Sequence, residues 1–180
     1  MEFRELLQSK KEAIIRRWLN DALSTYPDEA VAAFSREKDP FANPVGHSLR
    51  VGTRGIFEAL LEGTDADETH EYLHKIMRIR AVQQFPPSQS LAFVFGLKKA
   101  IRAELGGAAT DGRFAPDLAE IDERIERIAL AAFDIFVQCR EQVYELRVNE
   151  AKRRVSWIVE KMNEREFDSE FAQIDSGEEV

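Results

Sequence analysis

Apolar residues recur at three- and four-residue steps through most of the chain, and the longest such run is Asp117 to Arg165, which contains neither Gly nor Pro. Leu118, Ile121, Ile125, Ile128, Ala132, Ile135 and Cys139 make one stripe, the seam of a long amphipathic helix. Near Gln142 a second register takes over, through Tyr144, Val148, Ala151, Val155, Ile158 and Met162. The buried face therefore rotates partway along. Unbroken, this helix would run about 70 Å at roughly 1.5 Å per residue, against a radius of gyration near about 16 Å for a compact domain of this size. The second half is expected to protrude.

Ahead of it the same periodicity predicts four or five shorter helices. Phe3, Leu7, Ile14, Trp18 and Ala22 mark one from about Glu2 to Thr25, ended by Tyr26-Pro27. A weaker piece, Glu29 to Phe34, leads into Asp39-Pro40-Phe41-Ala42-Asn43-Pro44, where two X-Pro steps enforce an extended connection. Asn43 is then an N-cap with Pro44 at the first helical position. The helix that follows, Val45 to Leu61, holds Gly46, Gly52 and Gly55, each costing roughly 1 kcal/mol relative to Ala, so a neighbouring helix is expected to cross closely there. Gly63 closes it. The next runs through Tyr72, Leu73, Ile76, Met77 and Ile79 to Phe85-Pro86-Pro87, and Ser88 caps another that reaches Leu105. Gly106 to Pro116 reads as a loop. No stretch alternates with period two between hairpin turns, so no strand is predicted. The fold expected is all-α: a single globin-like or irregular bundle of five to six helices with a long C-terminal helix. It divides into a helical domain at 1–146, an extension of the long helix at 147–166 and an acidic, disordered tail at 167–180.

Composition narrows the class without naming a function. Hydrophobic residues at 44% and charged residues at 32% describe a globular protein, and apolar runs such as Leu91 to Phe95 are too short to span a bilayer. No export signal is visible at the N-terminus, which sets the expectation of a cytoplasmic protein without membrane insertion. A net charge of −8 argues against nucleic acid as a partner. The one basic cluster, Lys152, Arg153 and Arg154, is interleaved with Glu150 and Glu160 and reads as a solvated face. From Glu164 to Val180 there are seven acids against one Arg, the basis for the tail assignment. Cys139, the single cysteine, sits on the core stripe and reads as a buried structural thiol.

Three patterns bear on chemistry. His70-Glu71-Tyr72-Leu73-His74 fits H-E-x-x-H, two imidazoles one helical turn apart with Glu71 available as a base, and it supports the alternative of a metal-binding protein or zinc-dependent hydrolase. Against that reading, Lys75 follows at once, no His lies downstream to complete the site, and no strand is available to align a peptide. His47 could be imagined as an axial haem ligand, but a lone His near a helix start is more often a local hydrogen-bonding residue. No cofactor, metal site or catalytic residue is assigned. The third pattern is Met77-Arg78-Ile79-Arg80-Ala81-Val82-Gln83-Gln84, in which Arg78 and Arg80 diverge by about 200° on a helix. At least one is expected to point inward and pair with a carboxylate. Asn43, Arg78, Arg80 and Gln83 are the candidates for a polar ligand or partner site.

Trp18, Tyr26-Pro27, Asp39 to Gly46, and Ile79-Arg80-Ala81-Val82-Gln83 followed by Pro87-Ser88 resemble the N-terminal domain of RsbRD-type RsbT co-antagonists, over about Phe3 to Leu146. The resemblance implies a helical sensory domain of a stressosome protein, which passes a signal through a linker helix to a STAS domain, and it brings no catalytic residues. Only an acidic tail follows the long helix here, so the expectation is a sensor or adaptor module without the STAS half. Val148, Val155, Trp157, Ile158 and Met162 would be an exposed stripe unless covered, and a homodimer through that helix is expected, with a signalling protein as a further partner.

Overall fold

The computed structural model describes the backbone at 2–37, 39–63 and 66–175, and the side chains there except 35, 66–68 and 163–175. Among the described residues there are six α-helices and no strand: α1 (Phe3–Leu23), α2 (Asp28–Arg36), α3 (Pro44–Glu62), α4 (Ala66–Val82), α5 (Pro87–Leu105) and α6 (Ala115–Asp175). The all-helical class and the long last helix agree with the sequence pattern. The chain separates into two compact units, Met1–Arg140 and Glu141–Val180. Residues 176–180, the end of the acidic stretch, lie outside the described residues, while α6 is helical backbone as far as Asp175.

Two boundaries differ from those expected. Pro86, at φ −57 and ψ 145, is the N-cap of α5 and Pro87 its first residue, so Ser88 lies inside the first turn instead of capping it. Proline's fixed φ and missing N–H suit Pro87 to the first helical position. The segment expected as a loop contains two 3-10 turns, Gly106–Thr110 and Gly112–Phe114. The Asp111 carboxylate accepts from the Arg113 amide at 3.0 Å, and Pro116 falls in the first turn of α6, where an amide would have no helical partner.

The start of α3 shows how a short motif fixes a junction. Asn43 is buried; its Oδ1 accepts from the Gly46 amide at 2.8 Å, and its Nδ2 donates to the carbonyls of Phe34 and Glu37, each at 2.8 Å. One side chain thus caps α3 and closes the C-terminal end of α2. Asn43→Ala is expected to cost about 1–2 kcal/mol, the range for a lost cap, since the Phe34 and Glu37 carbonyls lose one donor but keep the Arg50 guanidinium at 2.9 Å and 3.3 Å. Asn43→Asp keeps the cap acceptor but sets a buried carboxylate oxygen against the Phe34 and Glu37 carbonyls, and should be at least as destabilising as Ala, as read by urea denaturation of the three proteins.

The core of the first unit is one continuous cluster. Trp18 of α1 is fully buried, stacks on Phe93 of α5 at 5.9 Å and donates its indole N–H to the Phe93 carbonyl at 2.6 Å. Two of the three glycines of α3 face α4: a Cβ on Gly55 would overlap the Tyr72 ring, and one on Gly52 would meet Ile76, whereas one on Gly46 would meet its own cap, Asn43. These are the close crossing that the glycine spacing implied. The seam of α6 from Leu118 to Cys139 is buried in the same cluster. Its edges are tied by Lys98–Glu126 at 2.8 Å and by Arg102–Asp122, by Arg124 to the Leu60 carbonyl at 3.2 Å and by Arg140 to the Ala81 carbonyl at 2.9 Å.

Candidate functional site

Two positions apart on α4, Arg78 and Arg80 leave the helix in nearly opposite directions. Arg80 goes inward and is 0% exposed. Among the described residues the carboxylate partner expected for it is absent. Its guanidinium donates to the carbonyl of Gln89 at 3.1 Å and of Ala22 at 3.4 Å. It also lies over the rings of Phe93 at 4.8 Å and Phe85 at 5.4 Å. Ala22 is in the last turn of α1, where unsatisfied carbonyls carry the negative end of the helix dipole; that end and the faces of two rings take the place of a carboxylate. The compensation is incomplete, since Arg80 Nε has no hydrogen-bond partner and burial depresses the pKa of the group.

Tyr26 completes this junction. Its hydroxyl donates to Gln83 Oε1 at 3.0 Å, and its ring meets Phe34 at 5.3 Å and Phe85 at 5.2 Å, edge to face. Burial pushes the phenol up, and the Arg80 charge acts the other way. Asn43 reaches this region only indirectly: it bonds to the Phe34 carbonyl, Phe34 packs on Tyr26, and Tyr26 holds Gln83. Asn43 and Arg80 are therefore built into the scaffold.

On the outer side of α4 lies a cleft of about 410 Å³ lined by Ser48, His74, Lys75, Arg78, Ile79, Val82 and Gln83. Arg78 and Gln83, two of the four residues singled out from the sequence, share it. The others on α4 lie at i, i+1, i+5 and i+8 from His74, one face of a helix, and Ser48 comes across from α3. Cys139 of α6 is buried, which raises its thiol pKa, and the Arg78 charge counters that rise. The cleft thus adjoins the C-terminal end of α6 within the first unit.

Of the H-E-x-x-H stretch on α4, His70 and Glu71 are exposed, Tyr72 and His74 are half-buried and Leu73 belongs to the core. The His70 and His74 rings are 6.2 Å apart and nearly parallel. Glu71 accepts from Lys75 at 2.7 Å, which holds its carboxyl below the usual range. Among the described residues no three His, Cys, Asp or Glu side chains are grouped to hold a metal ion. His47 is in the first turn of α3, its amide donating to the Asn43 carbonyl at 3.0 Å.

In the second unit, Tyr144, Val148, Val155, Trp157, Ile158 and Met162 are all exposed, Trp157 at 58% and Val155 at 60%. Lys161 lies over the Trp157 ring at 4.7 Å. No described helix is long and apolar enough to cross a membrane.

A family model described as the RsbT co-antagonist protein rsbRD N-terminal domain matches residues 12–151. No curated protein and no solved structure matches the chain.

Proposed function

The chain belongs to the family of RsbT co-antagonist RsbRD N-terminal domains, and from that premise we propose that it is a non-enzymatic sensor or adaptor module that pairs with a second copy of itself through α6. The family is one of stressosome-type signalling modules. What carries the pairing is the exposed stripe of α6. Val148, Val155 and Met162 repeat at seven residues, and so do Tyr144, Ala151 and Ile158, offset by four; together they are the a and d positions of a heptad repeat. A two-fold partner presents the same stripe and covers it. Arg147 and Lys152 then stand at g and e, where they face each other across the pair as like charges. That repulsion weakens the coil and leaves its association open to adjustment from the first unit. A protein partner in a signalling pathway would read the paired helix.

Light scattering tests this on the full chain and on a version ending at Leu146. The expected result is a dimer for the first and a monomer for the second. A monomeric full chain, or a truncated version that dimerises equally well, removes this half of α6 from assembly.

A further inference from the structure

We propose that the cleft between α3 and α4 binds a small organic anion with an apolar body, such as an amphipathic carboxylate. The inference goes beyond the pairing of α6 and does not depend on it.

Donors dominate this lining. Arg78 makes no hydrogen bond or ion pair among the described residues, and neither does the Ser48 hydroxyl. Gln83 uses its carbonyl oxygen to hold Tyr26, which leaves its amide N–H₂ to donate. His74 adds an imidazole, and Lys75 an ammonium shared with Glu71. Among the described residues no carboxylate lines the cleft. On a chain of net charge −8, a concave site with the Arg78 cation unpaired, a second cation shared with Glu71 and no acid in its described lining is a local reversal of sign. Such a site gathers anions from solution. A guanidinium also offers a paired donor edge that matches a carboxylate.

The other half of the lining is apolar. Ile79 and Val82 lie one turn apart or less on the same face of α4 as Arg78, and Val82 is 57% exposed. A volume of about 410 Å³ is within the range of small-molecule sites, about 300–1,000 Å³. An inorganic anion would leave Ile79 and Val82 wet; a neutral apolar molecule would leave Arg78 unpaired. Only a ligand with both parts uses the whole lining. The consequence for the fold runs through Gln83, whose oxygen anchors Tyr26 beside Arg80, so a ligand engaging the Gln83 amide is linked to the buried junction of α1, α4 and α5.

Calorimetric titration of the full chain with octanoate is the test, with acetate, inorganic phosphate and octan-1-ol as the comparison probes. Saturable octanoate binding is expected, at least about tenfold tighter than any of the three comparisons. Arg78→Gln should weaken it about tenfold, and Arg153→Gln, the same charge change on exposed α6, should leave it unchanged. The proposal is overturned if octanoate does not saturate, if octan-1-ol or phosphate binds as tightly, or if both variants behave alike. Because the readout is binding and not oligomeric state, this inference and the pairing of α6 can fail separately.

Discussion

Arg80→Ala is expected to lower the unfolding free energy by about 3 kcal/mol and the melting temperature by about 10 °C for a chain of this length. Two charge-assisted bonds to carbonyls are lost. Neither carbonyl is orphaned: that of Gln89, in the first turn of α5, still accepts the helical amide four residues on, and that of Ala22 keeps the Thr25 hydroxyl at 2.8 Å. A void opens between Phe85 and Phe93, the two rings the guanidinium now covers. One term opposes these: a buried cation with an unpartnered Nε is relieved of its desolvation cost. The balance can be read by separating volume from charge. Arg80→Met fills most of the space and removes the charge, so it should recover to within about 1 kcal/mol of the parent. Arg80→Lys keeps the charge but lacks the fork that reaches two carbonyls, and should be the less stable of the two. Chemical denaturation followed by circular dichroism gives the order. If Lys equals or exceeds Met, the positive charge is what the junction needs, and the account of Arg80 as incompletely compensated fails.

The same residue shows where sequence reading stops. That one of Arg78 and Arg80 must turn inward followed from helical geometry alone, and Arg80 does. Its partners did not follow, because they are backbone carbonyls of residues 22 and 89, and carbonyls leave no mark in a sequence. A search for a carboxylate looks for the wrong atom. Asn43 was legible for the opposite reason: an N-cap is a local device, specified by Asn-Pro at a helix start, and its bond to Gly46 spans only three residues. The carbonyls it also holds at Phe34 and Glu37 belong to the chain's return and were not foreseeable. His74 illustrates a third case. Read along α4 it belongs to a metal motif; in the fold it shares a cleft with Ser48 of α3 and Arg78, a grouping that exists only once the two helices cross.

That crossing is the ground for the second large effect: Gly55→Val is expected to destabilise by about 3 kcal/mol, and Gly55→Ala by about 2 kcal/mol. In an isolated helix the sign would be the reverse, since Ala is favoured over Gly by roughly 1 kcal/mol. Tyr72 decides it. The three nearest atoms to a Cβ on Gly55 are all in the Tyr72 ring, so the whole ring must move. Tyr72 packs against the core from its edge, and swinging it out gives up that contact and opens the α3–α4 interface. Removing the ring should restore the ordinary preference. In a Tyr72→Ala background, Gly55→Ala is expected to become neutral or stabilising by up to about 1 kcal/mol, a coupling of about 2–3 kcal/mol between the two positions. Gly112→Ala, at a glycine whose Cβ would meet nothing within 4 Å, serves as the control and should lie close to the parent. Thermal and urea unfolding of the parent, the Gly55 and Tyr72 single variants, their double variant and the Gly112 control measure all of this. Equal destabilisation by Gly55→Ala with and without the Tyr72 ring would mean that something other than Tyr72 closes the crossing, and that the glycine spacing of α3 reflects a different constraint.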